Sequence, residues 1–319
     1  MDMPKYDVVA IGGGAAGLSA TMMAARSRRR VAMIDAGEPR NAPAEHLHGF
    51  LSRDGTAPAE LLAAGREEIA GYSGEVIEDR VQEIEHAGEH GFLVRLAGGA
   101  ELTTRAVLVA TGLRDELPDI PGVRRRWGID VLHCPYCHGY EVRDAPIAVL
   151  GGDNRPFTLH QAQLVRQWSD DVAFFPHRIT LTDEERERLT ARGIRIIDEE
   201  VARLVADEDR LSGVELADGR VVPREAVFVG PRFMPHDELL TGLGCAVGEN
   251  GWVTVDPSGH TSVPGVWAAG NVVDNPAQLI NAAAAGSTAA VAINHYLLAQ
   301  DIDQAVTDCR TTEAVFSRA

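Results

Sequence analysis

Short apolar runs ending in glycine, alternating with helix-length amphipathic stretches, set the pattern of this chain. Tyr6 to Ile11 reads as a buried strand. Gly12-Gly13-Gly14-Ala15-Ala16-Gly17 follows, then helical spacing over 18–28 and a second apolar strand from Val31 to Asp35. Strand, turn, helix and strand make a βαβ unit. Pro58 to Gly71 reads as a helix. Gly98-Gly99 between the runs 92–96 and 100–104 signals a hairpin, and 107–110 is a buried strand ending in Thr111-Gly112. Leu117-Pro118-Asp119-Ile120-Pro121-Gly122 is a proline-rich joint.

The pattern then starts again. A strand over 146–150 runs into Gly151-Gly152, a helix over 158–168 and a strand over 171–175. A charged surface helix is predicted over 182–192, a hairpin at Asp218-Gly219 and a strand over 226–230. Near 244–251 the chain returns to the first domain, with strands at 252–255 and 266–269 and a long apolar helix over 277–299. Two similar units half a chain apart mean an internal repeat. The fold class expected is α/β, with two Rossmann-like three-layer dinucleotide-binding domains. The first is discontinuous, over 1–115 and 247–319, and the second spans 116–246.

Composition narrows the partners. The 319 residues are 45% hydrophobic and 24% charged, with a formal net charge of −17. Such a surface disfavours nucleic acid and anionic membrane, and neither is expected as a partner. Four cysteines are too few for a disulfide-stapled scaffold. Met1-Asp2-Met3-Pro4-Lys5 has no basic segment leading into an apolar one, and no apolar run has the length of a bilayer span, so a cytoplasmic address is expected.

Chemistry is concentrated in two places. Gly12-x-Gly14-x-x-Gly17 opens a helix straight after a strand. Its glycines permit the tight turn, the approach of a pyrophosphate and close helix–strand packing. The helix start offers N–H groups and a positive dipole end to an anion. Asp35 ends the next strand, where a carboxylate meets ribose hydroxyls. The second place is Cys134-Pro135-Tyr136-Cys137-His138. Thiols two residues apart close and reopen a disulfide, exchanging two electrons and two protons with a thiol substrate. The same letters spell a c-type haem attachment sequence, which requires export. They also supply half of a zinc site, which His133 and His138 would have to complete.

With Ala110-Thr111-Gly112 and the late segment from Thr261 to Asn271, these motifs resemble the low-molecular-weight thioredoxin reductases over nearly the whole chain. The resemblance implies FAD in the discontinuous domain, a pyridine-nucleotide-type domain carrying the CxxC, and a homodimer. It places Gly12, Gly13, Gly14, Ala15, Ala16, Gly17, Asp35, Ala36, Arg40, Asn41 and Val81 along the dinucleotide. Ala110, Thr111, Gly112, Gly270, Asn271 and Gln278 complete the set, with Gln278 near the flavin ring. Asn271 stands where the family usually has Asp. The resemblance also makes Cys134 the thiol that exchanges with substrate and Cys137 the one facing the flavin. His138 replaces the family's usual Asp, and a histidine takes and returns protons near neutrality. Cys245 and Cys309 are isolated and read as structural.

The second glycine turn departs from the fingerprint. It reads Gly151-Gly152-Asp153-Asn154-Arg155-Pro156, with a carboxylate where backbone should approach a phosphate and a proline lacking an N–H. The place of the 2′-phosphate cluster offers only His177 and Arg178. Impaired NADPH binding is therefore expected. FAD and CxxC without a hydride source resemble the dithiol oxidases of the gliotoxin and holomycin type, which share the His after the second Cys. The stretch from His160 to Asp171 points the same way. The expected activity is oxidation of a small-molecule dithiol by O2. The alternatives are an NADPH-dependent disulfide reductase and a redox sensor that does not turn over.

Overall fold

The computed structural model describes residues 5–88 and 91–316, and the chain separates into two compact units. The first comprises 1–40, 59–113 and 235–319, the second 41–58 and 114–234. Two boundaries differ from expectation. Residues 41–58, with Asn41, belong to the second unit, and 235–246 belong to the first, because Leu240, Leu243 and Cys245 sit in the first unit's core.

In the first unit the chain runs through β1 (Tyr6–Ile11), α1 (Ala15–Arg26), β2 (Val31–Asp35), α2 (Pro58–Gly71), β3 (Glu75–Glu78), β4 (Val81–His86), β5 (Phe92–Leu96) and β6 (Glu101–Val109). After β7 (Leu113–Glu116), the second unit holds α3 (Val123–Arg126), β8 (Val131–Leu132), α4 (Pro135–His138), β9 (Ile147–Leu150), α5 (Arg155–Val165), β10 (Val172–Phe175), α6 (Asp183–Ala191), β11 (Arg195–Ile196), β12 (Val201–Asp207), β13 (Arg210–Leu216), β14 (Val221–Pro223) and β15 (Ala226–Val229). β16 (Arg232–Pro235), which pairs with β7, leads back to α7 (Glu238–Gly242), β17 (Val266–Ala268) and α8 (Leu279–Phe316).

The first unit's sheet has the order β3-β2-β1-β6-β5-β4, with β17 also on β6. β6 is one nine-residue strand where two segments were expected. Its first half pairs antiparallel with β5 and its second half parallel with β17, so one strand serves successive neighbours. α1 and α8 pack over one face. A Cβ on Gly286 would lie 2.0 Å from the Ala16 carbonyl oxygen, so these helices meet backbone to backbone. The strand expected at 252–255 is only a single bridge between Val247 and Val253. The last helix continues seventeen residues past 299, carrying Cys309 as an exposed side chain, while Cys245 is buried.

The second unit has a five-stranded parallel sheet, β11-β10-β9-β15-β8, and a three-stranded antiparallel sheet, β12-β13-β14. Its connections diverge to either side of the β9–β15 pair. In such sheets ligands bind at the strand ends beside that divergence. Thr182 and Glu185 form a capping box that starts α6 where the charged helix was expected.

Candidate functional site

The first glycine turn has the geometry of an anion cradle. Gly12, at φ 108°, packs so closely that a Cβ would lie 2.3 Å from the Ala110 carbonyl oxygen, and one on Gly17 would lie 1.8 Å from that of Gly12. A Cβ on Gly14 would meet nothing within 4 Å. The open side of the turn thus lies at the N-cap of α1, where the N–H groups of Ala15, Ala16 and Gly17 precede the first helical bond, from Leu18 N–H to the Gly14 carbonyl (2.9 Å). These residues fit a bound pyrophosphate.

Asp35 is held against the turn. Its Oδ1 accepts from the Gly13 N–H (3.3 Å) and the Gly37 N–H (3.1 Å), and its Oδ2 is paired with Arg66. A carboxylate has about four acceptor positions, so capacity for a ribose hydroxyl remains. Ala36 is exposed beside it, and Val81 begins β4 with its side chain in the core. Ala110 and Thr111 follow β6. The Thr111 hydroxyl donates to the His236 carbonyl (2.6 Å), and the carbonyl of Gly112, at φ 70°, accepts from the His236 N–H (3.0 Å). Gly270, at φ 78°, approaches Ala16, and Gln278 lies at the start of α8 with its carbonyl accepting from Ala282.

Asn271 is tied to the loop before α8 through its amide nitrogen, and its oxygen keeps acceptor capacity for a hydroxyl. Its Nδ2 donates to the carbonyls of Asp274 (2.9 Å), Asn275 (3.3 Å) and Ala277 (3.0 Å), and its Oδ1 faces Arg40 Nη1 (3.4 Å). Both amide hydrogens are spent on the loop before α8. A carboxylate would present oxygens to three carbonyls, which explains an amide at this position.

In the second unit Cys134 and Cys137 are joined as a disulfide, with Cα atoms 5.2 Å apart. Cys134 is the N-cap of α4, just beyond β8, and its carbonyl accepts from the Cys137 and His138 N–H groups (both 3.1 Å). Pro135 fits the first helical position, where no donor is needed. Gln161, buried on α5, donates from Nε2 to the carbonyls of His133 (2.6 Å) and Val229 (3.2 Å), tying the approach to Cys134 to the end of β15. Trp168 packs edge-on against Tyr136, and a Cβ on Gly139 would lie 2.8 Å from the Trp168 ring. The sequence marked the stretch holding Gln161 and Trp168 but gave no sign of these contacts.

His138 is half-buried. Burial pushes its imidazole below the ordinary histidine value, with His48 acting in the same direction and Glu141 opposing. The ring therefore stays neutral, and able to accept a thiol proton, to a lower pH than a free histidine. Protonation at still lower pH removes the acceptor. The acid limb of the pH–rate profile is expected below 6.5. In His138→Gln that limb should vanish and thiol oxidation should slow by roughly 10²-fold, the lower end for general base catalysis. An unchanged profile would reduce His138 to a structural cap.

The second glycine turn lacks the first one's opening. Asn154 Oδ1 accepts from the Phe157 N–H (3.4 Å), Pro156 has no N–H, and Arg155 pairs with Glu185 (2.6 Å). A Cβ on Gly230 would lie 2.8 Å from the Phe157 ring, which also packs with His133 and Phe233. His177 Nδ1 accepts from the Val201 N–H (3.2 Å), and burial, aided by Arg178, pushes that imidazole toward its neutral form. Of the two residues expected at a 2′-phosphate, only Arg178 brings positive charge.

Among the described residues, no group of three His, Cys, Asp or Glu side chains is placed to hold a metal ion, and no helix is long and apolar enough to cross a membrane.

The chain belongs to the pyridine nucleotide-disulphide oxidoreductase family, whose model matches residues 6–286. Its relatives make it thioredoxin reductase-like. Thioredoxin reductase tcpT of Claviceps purpurea is 31% identical, with 86% of this chain and 88% of that protein covered. A probable thioredoxin reductase of Arthroderma benhamiae is 39% identical over 153 residues, a match that spans only 38% of that longer protein. The crystal structure of HlmI matches with a TM-score of 0.93 and 55% identity, covering 96% of this chain and 97% of the other.

Proposed function

We propose that this chain is an FAD-dependent dithiol oxidase that closes a disulfide in a small molecule and passes the electrons to O2. The observation that carries the reading is the contrast between the two glycine turns. The first is open at a helix start, whereas the second has one N–H missing at Pro156, another capped at Phe157, and its arginine paired. The likeness to HlmI and to thioredoxin reductase tcpT supports the thioredoxin reductase-like frame on which the reading is built. FAD, when bound along Gly12 to Gly17, supplies the two-electron acceptor that oxygen regenerates.

The residues of the second unit perform the exchange. A substrate thiol gives its proton to His138 and attacks Cys134 Sγ as thiolate, which breaks the Cys134–Cys137 bond and leaves Cys137 as thiolate; His138 then loses that proton. The second substrate thiol gives its proton to His138 and attacks the substrate sulfur bound to Cys134. The substrate disulfide closes and Cys134 leaves as thiolate. The balance is one dithiol and one O2 to one disulfide and one hydrogen peroxide. Purified protein should be yellow, release FAD on heating, and consume oxygen with dithiothreitol while forming one peroxide per dithiol. Protein that neither carries nor takes up FAD sinks the reading.

The homodimer belongs to this proposal. Val291, Leu298, Ile302 and Val306 form an exposed apolar stripe along α8, a surface suited to a second copy. Sedimentation should give about twice the 34.3 kDa of one chain; a monomer at micromolar concentration would refute it. The low cysteine content fits a cytoplasmic setting.

A further inference from the structure

His48 comes from the loop 41–58, which the chain sends into the second unit before returning to the first. Leu47 anchors it by burial, and the loop is braced by two backbone bonds, Leu47 N–H to Thr56 and Gly55 N–H to Leu47, both 2.9 Å. Next to that anchor, His48 Nδ1 lies 3.4 Å from Asp54 Oδ2, and His48 Nε2 lies 3.4 Å from Glu141 Oε1. Asp54 Oδ1 also accepts from the Gly49 N–H (2.9 Å). Glu141 follows His138 by three residues at the end of the active-site turn. A carboxylate, an imidazole and a second carboxylate thus stand in a row, from Glu141, whose charge acts on His138, through His48 to an exposed Asp54.

We propose that Glu141, His48 and Asp54 form a proton relay that clears His138 to solvent during each turnover. The inference rests on the dithiol-oxidase reading, and the need for a relay follows from its balance. In the thiol half of the reaction two thiols become one disulfide and release two protons, which are taken back from solvent when peroxide forms. One imidazole holds one proton, so His138 must be emptied before it serves the second thiol. Both His48 nitrogens face oxygens that only accept; a cationic ring donates to both, a neutral ring to one. The proton passes from His138 to Glu141, from Glu141 to one face of His48, and from the other face to Asp54. The charges coupled to His138 are those of Glu141 and His48, and the charges facing His48 are those of Asp54 and Glu141. The bond from Gly49 and the pairing with His48 hold the Asp54 carboxyl below its ordinary value, so it remains an acceptor. His48 touches neither sulfur and acts as a positioning residue for charge at His138.

The test is anaerobic reduction of the bound flavin by dithiothreitol, followed by absorbance from mildly acidic to mildly alkaline pH, in wild type, His48→Gln and Asp54→Asn. Both variants should keep wild-type flavin content. Flavin reduction should slow by about tenfold, less than the loss of the direct base. In the variants alone, added imidazole should restore the rate in proportion to its concentration, because a diffusing base replaces the missing link. A wild-type rate and pH profile in both variants overturns the relay. So does a loss that imidazole fails to restore, since a merely structural role behaves that way. If His48→Gln loses its flavin, Asp54→Asn decides, because it is isosteric, exposed and keeps its bond from Gly49. A wild-type protein that dithiothreitol does not reduce overturns the oxidase reading and the relay together. A wild type reduced normally beside indifferent variants overturns the relay alone.

Discussion

Cys134→Ser is expected to lose dithiol turnover by three orders of magnitude or more, as loss of a nucleophile does, while keeping its FAD. No disulfide remains for a substrate thiolate to attack, and serine offers neither the leaving group nor the redox couple. Cys137→Ser should be as inactive for the same reason. The two variants should differ in colour. By the roles that the family resemblance assigns, Cys137 faces the flavin, so its thiolate in Cys134→Ser should give a long-wavelength charge-transfer band. Cys137→Ser should lack the band. Its appearance with Cys134 instead would exchange the two roles. Turnover surviving in either variant would remove the disulfide from the mechanism.

The second large effect is a difference between reductants. Under anaerobic conditions micromolar NADPH should leave the flavin oxidised, whereas dithiothreitol should bleach it, and air should restore the colour with formation of peroxide. The physical cause is local to the second turn. Hydrogen bonds to a charged group are worth about 1.5 kcal/mol or more each, and about 1.4 kcal/mol is a tenfold change in affinity. The missing N–H of Pro156 and the capped N–H of Phe157 are therefore expected to weaken pyrophosphate binding by roughly a hundredfold. Arg155 is held by Glu185, and the depressed His177 adds no charge. Rapid, stoichiometric bleaching by NADPH would make the chain a reductase.

Both glycine turns were legible in the sequence because strand, turn and helix occur in one short window, and Gly12, Gly14 and Gly17 have spacing that only backbone contact requires. The strand Val31–Asp35 and the helix Pro58–Gly71 occur as read, since their apolar periodicity is uninterrupted. The split of β6 at residues 105–106 was misread because burial alternates in its first half and is continuous in its second. That change reflects two partners, which a local pattern does not encode. The CxxCH announced itself, whereas His48 did not. Its contact with Glu141 joins residues nearly a hundred positions apart, and nothing near His48 in sequence distinguishes it from a surface histidine. In sequence Asn271 stands out only as a replacement for the family's usual Asp. Its donation to the carbonyls of Asp274, Asn275 and Ala277 depends on the turn of the loop before α8, which a local pattern does not encode.

The pairing of β17 with β6 bears on the birth of the protein at the ribosome. Val107 to Val109 emerge early, but Val266 to Ala268 appear only after the whole second unit has been made. At bacterial-to-eukaryotic translation speeds that interval lasts roughly ten to thirty seconds. For that time a fully apolar half-strand carries an open edge, the kind of template on which nascent chains aggregate. Slower elongation or a shortage of chaperones during that interval should therefore lower the yield of folded protein.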